Sequence, residues 1–251
     1  MDRVDHPVPD PGFRADLRSA FRVLRARPLL PLMSVAVWAL PTLAPPALFF
    51  LAFPVSIFSI GFPGTERLWI LKGFRGLPFT FEEALSRTGW YIGRFFRLGL
   101  LLIPIGIAGV VLGWLVDRSF TGIIVGAAVA SLLLDFGLTF VTPALALSTK
   151  RVREAIRLGL RMVRSEWPAN ALYVLVPPLA IILIAQLLPG LITARHIAHA
   201  RPGGRIRPVP ESLRLVSSGI AAVAALVGLI FKGATVAFYA RRFEVSPDGA
   251  R

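Results

Sequence analysis

Residues 135–178 read DFGLTFVTPALALSTKRVREAIRLGLRMVRSEWPANALYVLVPP: an apolar run carrying the acid Asp135, an arginine-rich stretch, then a second apolar run. Between Lys150 and Trp167 the residues Val152, Ala155, Ile156, Gly159 and Val163 fall on one stripe of a 3.6-residue period, and Arg153, Arg157, Arg161 and Arg164 fall opposite. That pattern predicts an amphipathic helix lying on a membrane surface, with apolar crossings before and after it. Its arginines are placed to meet lipid headgroups.

Outward from this stretch the same alternation holds. Hydrophobic residues make up 55% of the 251 and charged residues 17%, whereas soluble domains average roughly 45–50% and about 25%. The excess is concentrated in the runs 29–62, 95–116, 121–147, 169–191 and 215–240. A hydrocarbon core about 30 Å thick needs about 20 apolar residues as helix, so several of these are crossings. The predicted fold is all-α, a polytopic transmembrane bundle of about six crossings with interfacial helices. It divides into an N-terminal tail and amphipathic helix at 1–28, a transmembrane bundle at 29–242 and a C-terminal tail at 243–251.

Six arginines precede the first run, and Arg67, Lys72, Arg75, Arg87 and Arg94 follow it. Both flanks therefore prefer the cytoplasm, which favours two short crossings joined near Pro45 over one kinked crossing. Within the N-terminal segment, Leu17, Ala20, Phe21 and Leu24 keep helical spacing against Arg14, Arg18, Arg22 and Arg25. The glycines and prolines of 61–78 around Leu68, Trp69, Ile70 and Leu71 read as a segment lying on the surface. Thr80 and Glu83 have the spacing of a capping box, so a helix should start there and run into the crossing at 95–116. Only Asp117, Arg118, Ser119 and Phe120 separate that crossing from the next, which predicts a hairpin packed through Gly109, Gly113, Gly122 and Gly126. Pro177 and Pro178 should kink or break the crossing after the arginine-rich helix. The loop 193–214 is basic although this topology puts it outside. After the last crossing Arg241 and Arg242 return to the inside, so both termini are expected on the cytoplasmic face of the cell membrane.

An internal repeat links these parts. Glu83-Ala84-Leu85 followed by Phe96 and Glu154-Ala155-Ile156 followed by Trp167 have the same spacing, and Ser19-Ala20-Phe21 begins a shorter third copy. Together with Phe21 to Pro31, Arg75-Gly76-Leu77-Pro78 and Thr142-Pro143-Ala144-Leu145, these units resemble bacterial multi-pass proteins of the YciC-like kind. They resemble also the membrane domain attached to some glycerophosphodiester phosphodiesterases. The resemblance implies a membrane helix bundle, and since the catalytic barrel of those enzymes is absent, it brings no activity with it.

The net charge of +14 comes from 28 Lys and Arg against 14 Asp and Glu. These bases sit beside apolar runs, which points to anionic lipid and not to nucleic acid. There is no cysteine, and neither HExxH, GxSxG nor a phosphate loop occurs. His196 and His199 lack a third ligand nearby, so no metal, cofactor or enzymatic activity is expected. Chemistry is left to the polar groups inside the crossings.

Asp135 appears near the middle of its run, and an ionisable group there costs about 2.5–3.5 kcal/mol on insertion scales unless it meets a partner. Lys232 lies within reach by depth. Asp135, Lys232, Asn170 and Gln186 thus form a candidate intramembrane polar site, either a proton or cation site or a structural pair or hydrogen bond. Two functions follow. One is a non-enzymatic scaffold, lipid-organising element or accessory to a complex, with anionic lipids, a protein partner or a second copy as partners. The other is a small-solute or ion transporter using Asp135 with Lys232.

Overall fold

The computed structural model describes residues 12–43, 49–118, 120–165, 167, 170–184, 211–243, 245 and 249. Among them the regular structure is entirely helical: α1 (Phe13–Ala26), α2 (Leu29–Leu43), α3 (Phe49–Phe74), α4 (Phe81–Asp117), α5 (Phe120–Leu138), α6 (Val141–Leu147), α7 (Val152–Ser165), α8 (Ala171–Ile182) and α9 (Glu211–Arg242). Two helices are long and apolar enough to cross a membrane, Phe81–Asp117 and Ser218–Arg242. A third span results if Val125–Leu138 and Val141–Leu147, bent by 49°, count as one. Leu29–Trp38 and Ala171–Ile181 are shorter apolar helices. The six apolar arms of the sequence reading therefore reduce, by length and composition, to two or three among the described residues.

The molecule has a compact half and an apolar half. The compact half is built from the second part of α3, α6 and the last turns of α9, with α1, α7 and the start of α4 around them. Its largest wholly buried side chains include Trp69, Tyr91, Tyr173, Tyr239, Phe62 and Phe140. The segment 61–78, expected on the surface, instead supplies the centre of this core. Leu68, Trp69, Ile70 and Leu71 are all buried, as a helix apolar on every side must be. The glycines that read as breakers are contact points. A Cβ on Gly61 would stand 2.3 Å from the Thr88 carbonyl oxygen, and one on Gly64 would stand 2.6 Å from the Tyr91 ring.

The helix boundaries follow local chemistry. Arg27-Pro28 ends α1, and α2 starts directly after it. At α4 the Thr80 hydroxyl accepts from the Glu83 amide at 3.1 Å, which is one half of the capping box. The Glu83 carboxylate does something else: it receives the Lys72 ammonium at 2.7 Å and so ties the end of α3 to the start of α4. In the turn between them Arg75 donates to the Val245 carbonyl at 2.6 Å, and burial lowers its guanidinium pKa. Ala20, Ala84 and Ala155, which align in the repeat, are each 0% exposed. Each alanine marks where a surface helix presses closest on the core.

Beyond Leu98, α4 leaves this core and its apolar side chains stand exposed, among them Leu101, Ile107, Leu112 and Val116. Such a surface calls for lipid or another apolar cover. Here α4 and α5 form the expected hairpin, with Arg118 in the left-handed region at φ 48 closing the end of α4. Their backbones nearly touch. A Cβ on Gly113 would lie 2.1 Å from the Gly122 oxygen, and one on Gly126 would lie 2.2 Å from the Gly109 oxygen. Gly113→Ala should therefore lower stability in detergent by about 1–3 kcal/mol through overpacking. Gly106→Ala meets nothing within 4 Å and should be neutral or gain up to about 1 kcal/mol of helix propensity. Equal melting temperatures for the two variants would contradict this packing.

Candidate functional site

Where the two halves meet, α3, α5, α6, α8 and α9 enclose a cavity of about 190 Å³. Its polar lining is Arg67, Asp135, Thr139, Thr142, Lys232 and Thr235, and Pro177, Pro178, Ile181 and Phe231 contribute to the apolar wall. The lining chains come together for local reasons. After Leu138 the chain bends at Thr139 and Phe140, which turns α6 into the core and leaves Asp135 on the last turn of α5. Pro177 and Pro178 lie inside α8 and supply no N–H to the carbonyls of Tyr173 and Val174. Gly228 removes bulk from α9 beside Ile181, where an added Cβ would meet only its Cδ1 at 3.5 Å.

Two charges to which the sequence reading gave no part in a site organise the region. Glu66, 0% exposed, accepts from the Ser34 hydroxyl at 2.5 Å and from the Lys232 ammonium at 2.5 Å. Because Ser34 stands early in α2 and Glu66 late in α3, these helices fold back on one another. Arg67 donates to the Pro63 carbonyl at 2.8 Å and to the Thr142 hydroxyl at 2.6 Å. Both residues sit in the stretch whose glycines and prolines had suggested the surface. The signal that could have found Glu66 is the one that flagged Asp135, an acid beside an uninterrupted apolar run.

Of the expected intramembrane set, Asp135 and Lys232 are brought to the same cavity, yet the ammonium is ion-paired with Glu66 and lies 5.5 Å from the centre of the Trp38 ring. The Thr139 hydroxyl donates to the backbone carbonyl of Asp135 at 2.9 Å, and not to its carboxylate. Asn170 stands apart from this site. Its amide donates to the carbonyls of Met162 at 2.7 Å and Val163 at 3.2 Å, which satisfies the free end of α7. Gln186, His196 and His199 lie outside the described residues.

No family model, curated protein or solved structure matches this chain. The site is therefore read from its own geometry.

A second charged centre lies deeper in the compact half. The carboxylate of Asp16, 0% exposed, takes both Arg241 nitrogens at 2.5 and 2.6 Å and the Tyr173 hydroxyl. It joins α1, α8 and α9. Sequence gave no hint of it, since an acid among the arginines of an amphipathic helix looks solvated.

The arginine-rich helix presents the opposite case. Ala155, Gly159 and Met162 are buried, and a Cβ on Gly159 would meet the Val141 nitrogen at 2.5 Å. Arg153, Arg157, Arg161 and Arg164 are all exposed. Leu160 stands exposed with them, as does Trp167 just beyond the end of α7, so this surface combines guanidinium groups with apolar side chains. That combination suits the boundary between headgroups and acyl chains.

Proposed function

We propose that the chain is a non-enzymatic integral membrane protein, a bundle of about six crossings, that organises anionic lipid or scaffolds a complex at the cytoplasmic leaflet. The observation that carries the reading is α7, a helix docked by small residues with four arginines and a leucine facing out and an exposed tryptophan just beyond its end. The six crossings are α2, α3, α4, the bent pair of α5 and α6, α8, and α9, of which α2 and α8 are short. The positive-inside rule, applied to Arg241, Arg242 and the arginines of α1 and α7, supports cytoplasmic termini. The repeated unit of surface helix and span is also the basis for grouping the chain with the YciC-like proteins.

An arginine near an anionic surface contributes about 1 kcal/mol. Changing Arg153, Arg157, Arg161 and Arg164 together to Gln should reduce co-purified phosphatidylglycerol at least tenfold, as measured by native mass spectrometry after gentle extraction, and leave folding intact. Unchanged lipid retention would remove the basis of the proposal. A second reading, a small-solute or ion transporter using Asp135 with Lys232, is favoured by the cavity they share beside Pro177 and Pro178. Uptake into proteoliposomes that survives Asp135→Asn would exclude that mechanism.

A further inference from the structure

The cavity between the two halves is lined by groups of both signs. Arg67 and Lys232 keep N–H groups beyond those given to Pro63, Thr142 and Glu66. The Asp135 carboxylate and the hydroxyl oxygens of Thr139 and Thr235 line the same cavity. Both hydroxyls give their hydrogen to a helix carbonyl, of Asp135 and of Phe231 respectively, so toward the cavity they act as acceptors. Glu66 and Asp135 balance Arg67 and Lys232 in formal charge. A site balanced in formal charge that offers both donors and acceptors favours neither a bare cation nor a bare anion. It favours a molecule carrying both signs.

The depth of the site adds a constraint. From Leu98 to Asp117 the exposed arm of α4 rises about 28 Å, and from Leu215 to Lys232 that of α9 rises about 26 Å, at 1.5 Å per residue. Both approach the hydrocarbon thickness of about 30 Å. The cavity then lies where those arms end, at the inner boundary with the headgroups, and not at mid-membrane as the position of Asp135 in its run had implied. Asp135 itself is exposed, so the cavity is accessible from its side, next to the outward-facing Val129, Leu133 and Leu179.

We propose that this cavity binds a zwitterion joining a phosphate or carboxylate to a primary ammonium, with the anion on Arg67 and Lys232 and the ammonium on Asp135, Thr139 and Thr235. The chemistry is that of a phosphoethanolamine lipid headgroup or of a free solute of the same kind. A volume of about 190 Å³ corresponds to roughly six waters at ~30 Å³ each. That admits a headgroup and keeps acyl chains outside. The site is separate from the arginine surface of α7 and stands whether or not that surface selects anionic lipid.

The test uses the full chain in a non-ionic detergent, with equal amounts of short-chain phosphatidylethanolamine, phosphatidylcholine and phosphatidylglycerol, and bound lipid read by native mass spectrometry. Choline offers no N–H to Asp135, and glycerol offers no cation. The ethanolamine lipid should be retained about tenfold or more over either, a difference of about 1.4 kcal/mol. Asp135→Asn should abolish the preference without changing the melting temperature, and Thr235→Val, nearly isosteric, should weaken it several-fold. Displacement of the lipid by free phosphoethanolamine or L-serine would assign the site to a solute, and persistence would assign it to the lipid. Equal retention of the three lipids with no thermal shift from either free zwitterion would overturn the proposal. So would an ethanolamine preference that Asp135→Asn leaves intact.

Discussion

Asp16→Ala should destabilise the compact half by about 3–5 kcal/mol, the cost of removing one partner from a buried ion pair. The reason is what stays behind. Arg241 gives both terminal nitrogens to Asp16, and its side chain is only 19% exposed, so the variant leaves a guanidinium with little water to replace the carboxylate. Tyr173 loses its acceptor as well. Tyr173→Phe, which removes a single hydrogen bond to a charged group, should cost about 1.5–3 kcal/mol. The double variant Asp16→Leu with Arg241→Met should recover much of the loss, because an apolar pair of similar volume can replace a buried ion pair at little net cost. Thermal melting of the full chain in detergent reads all of these. A loss below about 1 kcal/mol for Asp16→Ala would mean that the pair behaves as a surface salt bridge, and the contact between α1 and α9 would need another explanation, such as Ala20 against Gly233.

What the sequence made legible was governed by short-range physics. The stripe with Ala155 and Gly159 against four arginines is set by the helical period alone, and α7 carries it. The Thr80 cap and the glycine pairs of the α4–α5 hairpin are likewise local in sequence. What stayed hidden depends on pairing over long separations. Asp16 and Arg241 stand at opposite ends of the chain, and each reads singly as a surface charge. Glu66 was hidden for a different reason. Gly61, Gly64 and Gly73 carry the same letters whether they break a helix or allow two helices to touch, and only the opposing Thr88, Tyr91 and Val23 side of the contact distinguishes the cases. Lys232 shows both effects at once. Its closeness to Asp135 was readable, whereas its partner depended on whether 61–78 lay on the surface or in the core.

The Lys232 partnership is open to a direct decision. Glu66→Gln should cost about 3–5 kcal/mol, since it leaves a lysine ammonium only 22% exposed without its counter-charge, and Lys232→Met should cost a similar amount by leaving the fully buried Glu66 carboxylate unpaired. Ser34 continues to donate to Glu66 in the second variant, but a hydroxyl does not balance a charge. Because the two losses share one interaction, the double variant should be no worse than the larger single one, a coupling at least as large as the smaller of the two losses. The parallel cycle with Asp135→Asn and Lys232→Met should be additive within about 0.5 kcal/mol, since the lysine is already engaged by Glu66. Strong coupling in the Asp135 cycle, with additivity in the Glu66 cycle, would return Lys232 to Asp135 and leave neither charge for a ligand. Coupling confined to Glu66 leaves Asp135 with its charge directed at the cavity and available to a ligand, which is the condition the zwitterion site requires.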